Sequence, residues 1–323
     1  MRYTRLGTTG LTISRLALGC MSYGDPTTSH AHPWALTEDQ AEPFFRQAVE
    51  LGVTFWDTAN VYQAGTSEQI VGRAITRYSR REDIVLATKV RGHMHDGPGG
   101  SGLSRKAILE QVDASLTRLG TDYIDLYQIH RFDDDVPVEE TMEALHDIIR
   151  AGKVRYIGAS SMYAWQFAKL QHAADLGGWT RFVSMQNQYN LLRRHDEREL
   201  MAMCGDTGVG LVPYSPNGKG RLARPAGEQS TRSSTDKVVQ AFDSPHDEPV
   251  ISAVQQVAQK RDVSMAQIAL AWVLRNPLVS APIVGATKSH HLSEAVAALD
   301  IELTDDEVTT MQDPYVEYGP SWY

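Results

Sequence analysis

The chain is poor in cysteine, in long apolar runs and in positive charge. Of its 323 residues only two are cysteines, Cys20 and Cys204, far apart. They give neither a disulfide framework nor a CxxC metal site, and a reducing compartment is the simplest inference. No apolar stretch approaches the roughly 20 residues that cross a bilayer, and the opening MRYTRLGTTGLTIS lacks the apolar core of a signal peptide. The expectation is a soluble cytoplasmic protein with no membrane partner. The 31 Lys+Arg face 40 Asp+Glu, a formal net charge of −9, and no Lys/Arg block stands out. Binding that depends on phosphate neutralisation needs a basic face, so nucleic acid is not an expected partner. No GxGxxG follows the first apolar run, which excludes the ordinary doubly wound dinucleotide fingerprint.

What is present is alternation. Short apolar runs at Leu16–Gly19, Thr54–Ala59, Ile84–Val90, Ile124–His130, Val154–Ser160, Val183–Tyr189, Val209–Pro216 and Ala281–Ala286 read as buried strands. Amphipathic stretches near 38–51, 66–78, 104–118, 137–151, 163–175, 196–205, 264–275 and 289–298 read as the helices between them. Thr37 with Gln40, and Ser104, suit helix starts; Gly52, Gly120 and Gly152 suit helix ends. Eight strand-helix units predict an α/β fold, a (β/α)8 barrel forming a single domain over 1–323. Residues Tyr3 to Ile13, around Thr9-Gly10, predict a hairpin plugging one barrel end. Three connections are long, 22–37, 91–103 and 217–249, and long loops after barrel strands lie on the face that carries chemistry.

Asp57, Lys89 and His130 stand at the carboxyl ends of the second, third and fourth strands, with Tyr62 five residues beyond Asp57. Consecutive barrel strands are neighbours, so the four side chains should meet at one mouth. A phenol has a reference pKa of about 10, and a nearby buried ammonium, here Lys89 held by Asp57, is expected to lower it. A neutral His130 would orient a substrate carbonyl. Such a group protonates a developing alkoxide and needs a hydride donor to complete a reduction. Each residue alone also has a structural reading, as an interior ion pair, a rim tyrosine or a satisfied histidine; the convergence is what favours chemistry.

The blocks FWDTANVYQAGTSEQIVGRAI at 55–75, LATKV at 86–90 and GTDYIDLYQIH at 120–130 resemble the signature of the aldo-keto reductases. So do GKVRYIGAS at 152–160, MQNQYNLL at 185–192, GLVPYSPNGKGRL at 210–222 and PIVGATKSHHLSEAV at 282–296. The resemblance implies a catalytic tetrad of Asp57, Tyr62, Lys89 and His130 and a nicotinamide cofactor, NADPH in preference to NADH. It places Ser160 and Gln186 at the carboxamide, Tyr214 against the nicotinamide ring, and Ser215, Asn217, Gly220 and Arg221 at the pyrophosphate. Lys288, Ser289 and His291 would face a 2′-phosphate and Glu294 the adenine amino group. Three positions depart from the commoner pattern: Ser161 and Ala295, each for asparagine, and Thr287 for arginine.

The implied reaction is reversible reduction of a small-molecule carbonyl. The IHRFD and ASSMYAWQ blocks resemble the aryl-alcohol dehydrogenase branch, which points to aromatic or cyclic substrates. Tyr23, Trp34, Met94, Arg131 and Phe132, with Trp322 and Tyr323, are the expected pocket residues. Two other classes stay open at this point: a cofactor-binding sensor or auxiliary subunit with little turnover, and an aldolase using Lys89 as a Schiff-base nucleophile. No metal is expected, since His30, His32, His93 and His95 lack a completing ligand set and read as solvent-facing loop residues. The glycine run at 97–102 reads as a mobile flap, and Asp133, Asp134 and Asp135 as a solvated turn.

Overall fold

A computed structural model describes residues 1–28, 31–228 and 244–317. Strands β1 (Tyr3–Arg5) and β2 (Thr12–Ser14) form the expected antiparallel hairpin. Its Leu6 and Ile13 are fully buried and pack with Ala17, Phe55, Ala87, Leu126 and Val212 inside the barrel. Ser14 Oγ accepts from the amides of Thr54 and Phe55, at the entry to the next barrel strand but one. The plug therefore seals the amino ends of the strands and leaves the carboxyl ends free for a site.

Eight parallel strands follow: β3 (Ala17–Gly19), β4 (Phe55–Asp57), β5 (Val85–Val90), β6 (Ile124–Ile129), β7 (Val154–Ser160), β8 (Ser184–Gln186), β9 (Gly210–Leu211) and β10 (Ile283–Gly285). They lie side by side in chain order, and β10 returns beside β3. Single bridges from Leu211 to Val279 and from Tyr214 to Ile283 draw the last edges together, with Ile283 N donating to Pro213 O at 2.8 Å. This is the (β/α)8 barrel expected, although β8, β9 and β10 are shorter than their apolar runs.

Helices α1 (Glu38–Glu50), α2 (Thr66–Tyr78), α3 (Arg105–Leu119), α4 (Val138–Arg150), α5 (Ala164–Gly177) and α6 (Leu200–Thr207) wrap the strands. Thr37 and Gln40 form a capping box on α1, Ser104 Oγ accepts from Ala107 N on α3, and Gly120 ends α3 at φ 62°. The shell continues with α7 (Glu248–Arg261), α8 (Met265–Arg275), α9 (His291–Ala297) and α10 (Asp305–Gln312). Neither α7 nor α10 was anticipated. In α7 Val250, Ile251, Val254, Val257 and Ala258 are buried at helical spacing, and a proline in the first turn starts the helix.

The loop over 91–103 is tied down: Met94 N bonds Gly100 O at 2.8 Å, Gly102 N bonds Arg91 O at 3.0 Å, and Leu103 N donates to Asp133 Oδ2 at 2.7 Å. Asp133 is thereby buried, which corrects its expected place in a solvated turn. His30, Trp322, Tyr323 and part of 217–249 lie outside the described residues.

Candidate functional site

Asp57 is the last residue of β4, Lys89 lies near the end of β5, and His130 follows β6, its amide bonded to Val90 O at 2.9 Å. Side chains alternate across a strand, so Lys89 faces the barrel axis and Thr88 the helices. Lys89 Nζ, 0% exposed, lies 2.5 Å from Asp57 Oδ1, 2.8 Å from Thr58 O and 3.4 Å from the Tyr62 hydroxyl. The rings of Tyr62 and His130 meet edge to face at 5.8 Å. The four residues therefore converge at the carboxyl mouth.

Sequence reasoning missed what holds Asp57. Its Oδ2 accepts from Gln128 Nε2 at 3.0 Å and from Gln186 Nε2 at 2.9 Å, and Gln186 also reaches Gln128 Oε1 at 3.2 Å. Gln128 pairs in register with Lys89, so the period-two pattern of β6 was the available signal.

Burial works against the Lys89 charge, yet Asp57 and Tyr62 offset it and hold the ammonium above the ordinary lysine value. That argues against a Schiff-base role, which needs a free amine. Burial also raises the Tyr62 hydroxyl; Lys89 pulls it down without prevailing. The net direction is opposite to the lowering expected from the sequence. Burial, then Lys89, Arg131 and Arg91, push His130 well below the ordinary histidine value, leaving the imidazole neutral.

The opposite side of the mouth gathers Ser160, Ser161, Gln186 and Tyr214. Ser161 Oγ bonds the Tyr214 hydroxyl at 3.3 Å, Ser160 Oγ lies 3.2 Å from Ser161 Oγ, and Ser161 N bonds Gln186 O at 3.1 Å. The segment after β9 coils tightly, with Ser215, Gly218, Lys219 and Gly220 all at positive φ. Beside it is a hollow lined by Gln188, Asn190, Leu192, Arg193, Gly218, Lys219 and Arg221. Asn217 Oδ1 is buried without a partner. Arg221, expected at the pyrophosphate, is bonded to Asp247 Oδ2, whose other oxygen is 3.5 Å from Arg193 Nη1. Both Asp247 and Arg193 were missed.

After β10, Lys288 and Ser289 are exposed, and His291 Nδ1 accepts from Thr287 N at 3.2 Å. Burial lowers the His291 pKa, and the charges of His290, Lys288 and Arg224 lower it further, so these basic groups share one neighbourhood. Arg224 was not anticipated. Glu294 Oε2 accepts from Ser264 Oγ at 3.0 Å, at the start of α8.

Among the expected pocket residues, Tyr23 lies inside the packed shell. It is fully buried, packs on Phe44 and Phe45 of α1, and donates to Ala286 O at 2.9 Å. Trp34 stacks on His32 at 4.5 Å, and Met94 lies against the Gly65 turn. Arg131 is near enough to the Tyr214 and Tyr62 hydroxyls to act on the charge of each. Phe132 packs on Trp165 at 6.0 Å, and Trp165, 59% exposed, was missed as a rim aromatic. Both cysteines are free and buried, with the Cys204 thiol pushed up to about 12 by burial. Among the described residues no helix is long and apolar enough to cross a membrane.

Comparison with known proteins finds one family model and several relatives that span nearly the whole chain. The model of the aldo/keto reductase family matches residues 15–315. The versiconal hemiacetal acetate reductase of Aspergillus parasiticus is 44% identical, over 98% of this chain and 97% of its own length. A putative aryl-alcohol dehydrogenase of Schizosaccharomyces pombe is 42% identical, over 97% of this chain and 95% of its own length. One of Saccharomyces cerevisiae is 40% identical, over 98% and 97%.

Proposed function

The chain belongs to the aldo/keto reductase family and is an NAD(P)H-dependent oxidoreductase acting on small-molecule carbonyl compounds, and from this premise we propose that it uses NADPH to reduce aromatic or cyclic aldehydes and ketones, with Tyr62 as proton donor. The observation that carries the proposal is the contact of the Tyr62 hydroxyl with the Asp57-anchored ammonium, 3.4 Å away, beside a neutral His130. When bound, the nicotinamide supplies a hydride equivalent to the carbonyl carbon. Tyr62 stays protonated at neutral pH and gives its proton to the developing alkoxide; Lys89 steadies the resulting phenolate. His130 donates a hydrogen bond that orients the carbonyl oxygen. In the reverse direction the phenolate accepts the alcohol proton.

The residues fit a nicotinamide dinucleotide. Ser160, Ser161 and Gln186 offer the donor and acceptor pair a carboxamide needs, and Tyr214 offers a flat face to its ring. Ser215, Gly220 and neighbouring amides, with Arg221, suit the pyrophosphate, and the unpartnered Asn217 Oδ1 suits a hydroxyl donor. Lys288, Ser289 and His291, with Arg224 near them, favour a 2′-phosphate over a bare ribose; Glu294 suits an amino group. Aromatic substrates are favoured by the Phe132 and Trp165 rim and by the names of the aryl-alcohol dehydrogenase relatives.

The test is Tyr62→Phe, assayed for NADPH oxidation with a panel of aromatic aldehydes and titrated with NADPH by fluorescence. A positioned general acid supplies about 10²–10⁴-fold, so kcat should fall by that order while NADPH binds unchanged. Full turnover by this variant would remove Tyr62 from the mechanism.

A further inference from the structure

Behind Lys89, on the outer side of β5, lies a largely buried ion pair that the chemistry above does not use. Glu68, in the first turn of α2, is 0% exposed. Its Oε1 accepts from Thr88 Oγ1 at 2.6 Å, and its Oε2 from Arg118 Nε of α3 at 2.6 Å. Arg118 Nη2 also donates to Ser115 Oγ at 3.2 Å. Desolvating both charges is costly, and well-packed apolar side chains would often serve stability as well. What such a pair adds is fixed geometry.

Two contacts show which geometry it fixes. Thr88 precedes Lys89 on the strand, so holding Thr88 outward holds Lys89 inward. The Arg118 stem runs beneath Gly65, where a Cβ would lie 2.8 Å from its Cδ. Gly65 closes the turn that carries Tyr62, in which Gln63, Ala64 and Gly65 have φ of 44°, 52° and 92°. Left-handed backbone at two consecutive non-glycine residues is strained and lasts only where its surroundings hold it.

We propose that Glu68 and Arg118 are positioning residues that set the separation of Lys89 Nζ from the Tyr62 hydroxyl, bracing β5 through Thr88 and the Tyr62 turn through Gly65. This rests on the reading of Tyr62 as proton donor. The charged and titratable groups facing Tyr62 are Lys89, Asp57, His130 and Arg131. Glu68 and Arg118 are not among them and act through position.

The experiment compares Glu68→Gln, Arg118→Lys, Arg118→Met and the double Glu68→Gln/Arg118→Met variant. Each is assayed for aldehyde reduction and for alcohol oxidation against pH, with NADPH affinity by fluorescence and melting temperature alongside. Misplacing a reacting group by about 1 Å can cost on the order of 10²-fold, so Arg118→Met should lose roughly ten- to a hundredfold in kcat. NADPH affinity should stay within about twofold. The pH midpoint of alcohol oxidation should move up, because the phenolate loses part of its support from Lys89. Arg118→Lys should recover part of the loss, and the double variant should be no worse than Arg118→Met.

Glu68→Gln keeps the side-chain shape and decides the matter if Arg118→Met does not fold. A wild-type midpoint and kcat in Glu68→Gln, with Tyr62→Phe inactive, overturn the proposal alone. Losses of kcat, NADPH affinity and melting temperature in step, with an unmoved midpoint, show a merely structural pair and also overturn it. Full turnover by Tyr62→Phe brings down the functional reading and this proposal together.

Discussion

At Tyr62 burial and the Lys89 charge act in opposite directions, and burial prevails. The phenol is then protonated at neutral pH, the state a reductase requires, whereas alcohol oxidation should accelerate as pH rises. His130 behaves in the contrary sense: its proton affinity is depressed, so it is uncharged throughout the neutral range. The His130 ring resonance should therefore be flat between about pH 6 and pH 8 in an NMR titration. A midpoint near the ordinary histidine value would contradict the neutral hydrogen-bond donor proposed here. The positions of Asp57, Lys89 and His130 were legible because each stands at or near the carboxyl end of an apolar run. The net direction at Tyr62 was not, since spacing carries no measure of desolvation. Tyr23 shows the same limit: it follows β3 closely enough to look like a rim residue, but the short turn over Cys20–Ser22 sends it onto Phe44 and Phe45.

Among the elements, α2 and α3 meet where a side chain has no room. A Cβ on Gly72 of α2 would fall 2.1 Å from Leu119 O, at the end of α3. Alanine gains about 1 kcal/mol over glycine in helix propensity, but forced separation of packed backbone typically costs about 1–3 kcal/mol. With backbone rather than a flexible side chain in the way, the cost should outweigh the gain, and Gly72→Ala should lower stability by up to about 2 kcal/mol in chemical denaturation. A raised denaturation midpoint would mean that the two helices part at little cost, leaving the propensity gain to show. Strands were read well because a buried parallel strand is a short apolar block with clear punctuation. The two unanticipated helices differ: α7 follows a long polar segment rather than a strand, and α10 lies beyond the last strand-helix unit, so alternation gave no cue to either.

For the whole molecule, α10 fastens the C-terminal part of the chain to α7. Arg261 Nε and Nη2 reach Glu307 at 2.5 and 2.7 Å, and Glu307 also accepts from Thr304 N at 2.8 Å. Arg261 first, then Thr304, hold the Glu307 carboxyl at about 2 against an ordinary 4.5, despite opposition from burial. A carboxyl depressed in the folded state contributes stability above its unfolded pKa. That contribution declines as pH falls from about 4.5 to about 2. Glu307→Gln should therefore melt below the wild type at pH 7, and the gap should close on acidification through that window. A gap that stays constant down to pH 2 would assign the loss to something other than this ion pair.

The sequence by itself determined the alternation of strands and helices, and with it a barrel whose strand ends present Asp57, Lys89 and His130 in succession. It did so because apolar period and chain order are local properties, and adjacent parallel strands need no further information to be neighbours. Tertiary structure alone decided the grip of Gln128 and Gln186 on Asp57, the pairing of Arg221 with Asp247, the brace of Glu68 and Arg118, and the balance of charge at Tyr62. Each of these depends on how far apart side chains from distant segments come to rest and how much water is left between them, quantities set only when the barrel closes.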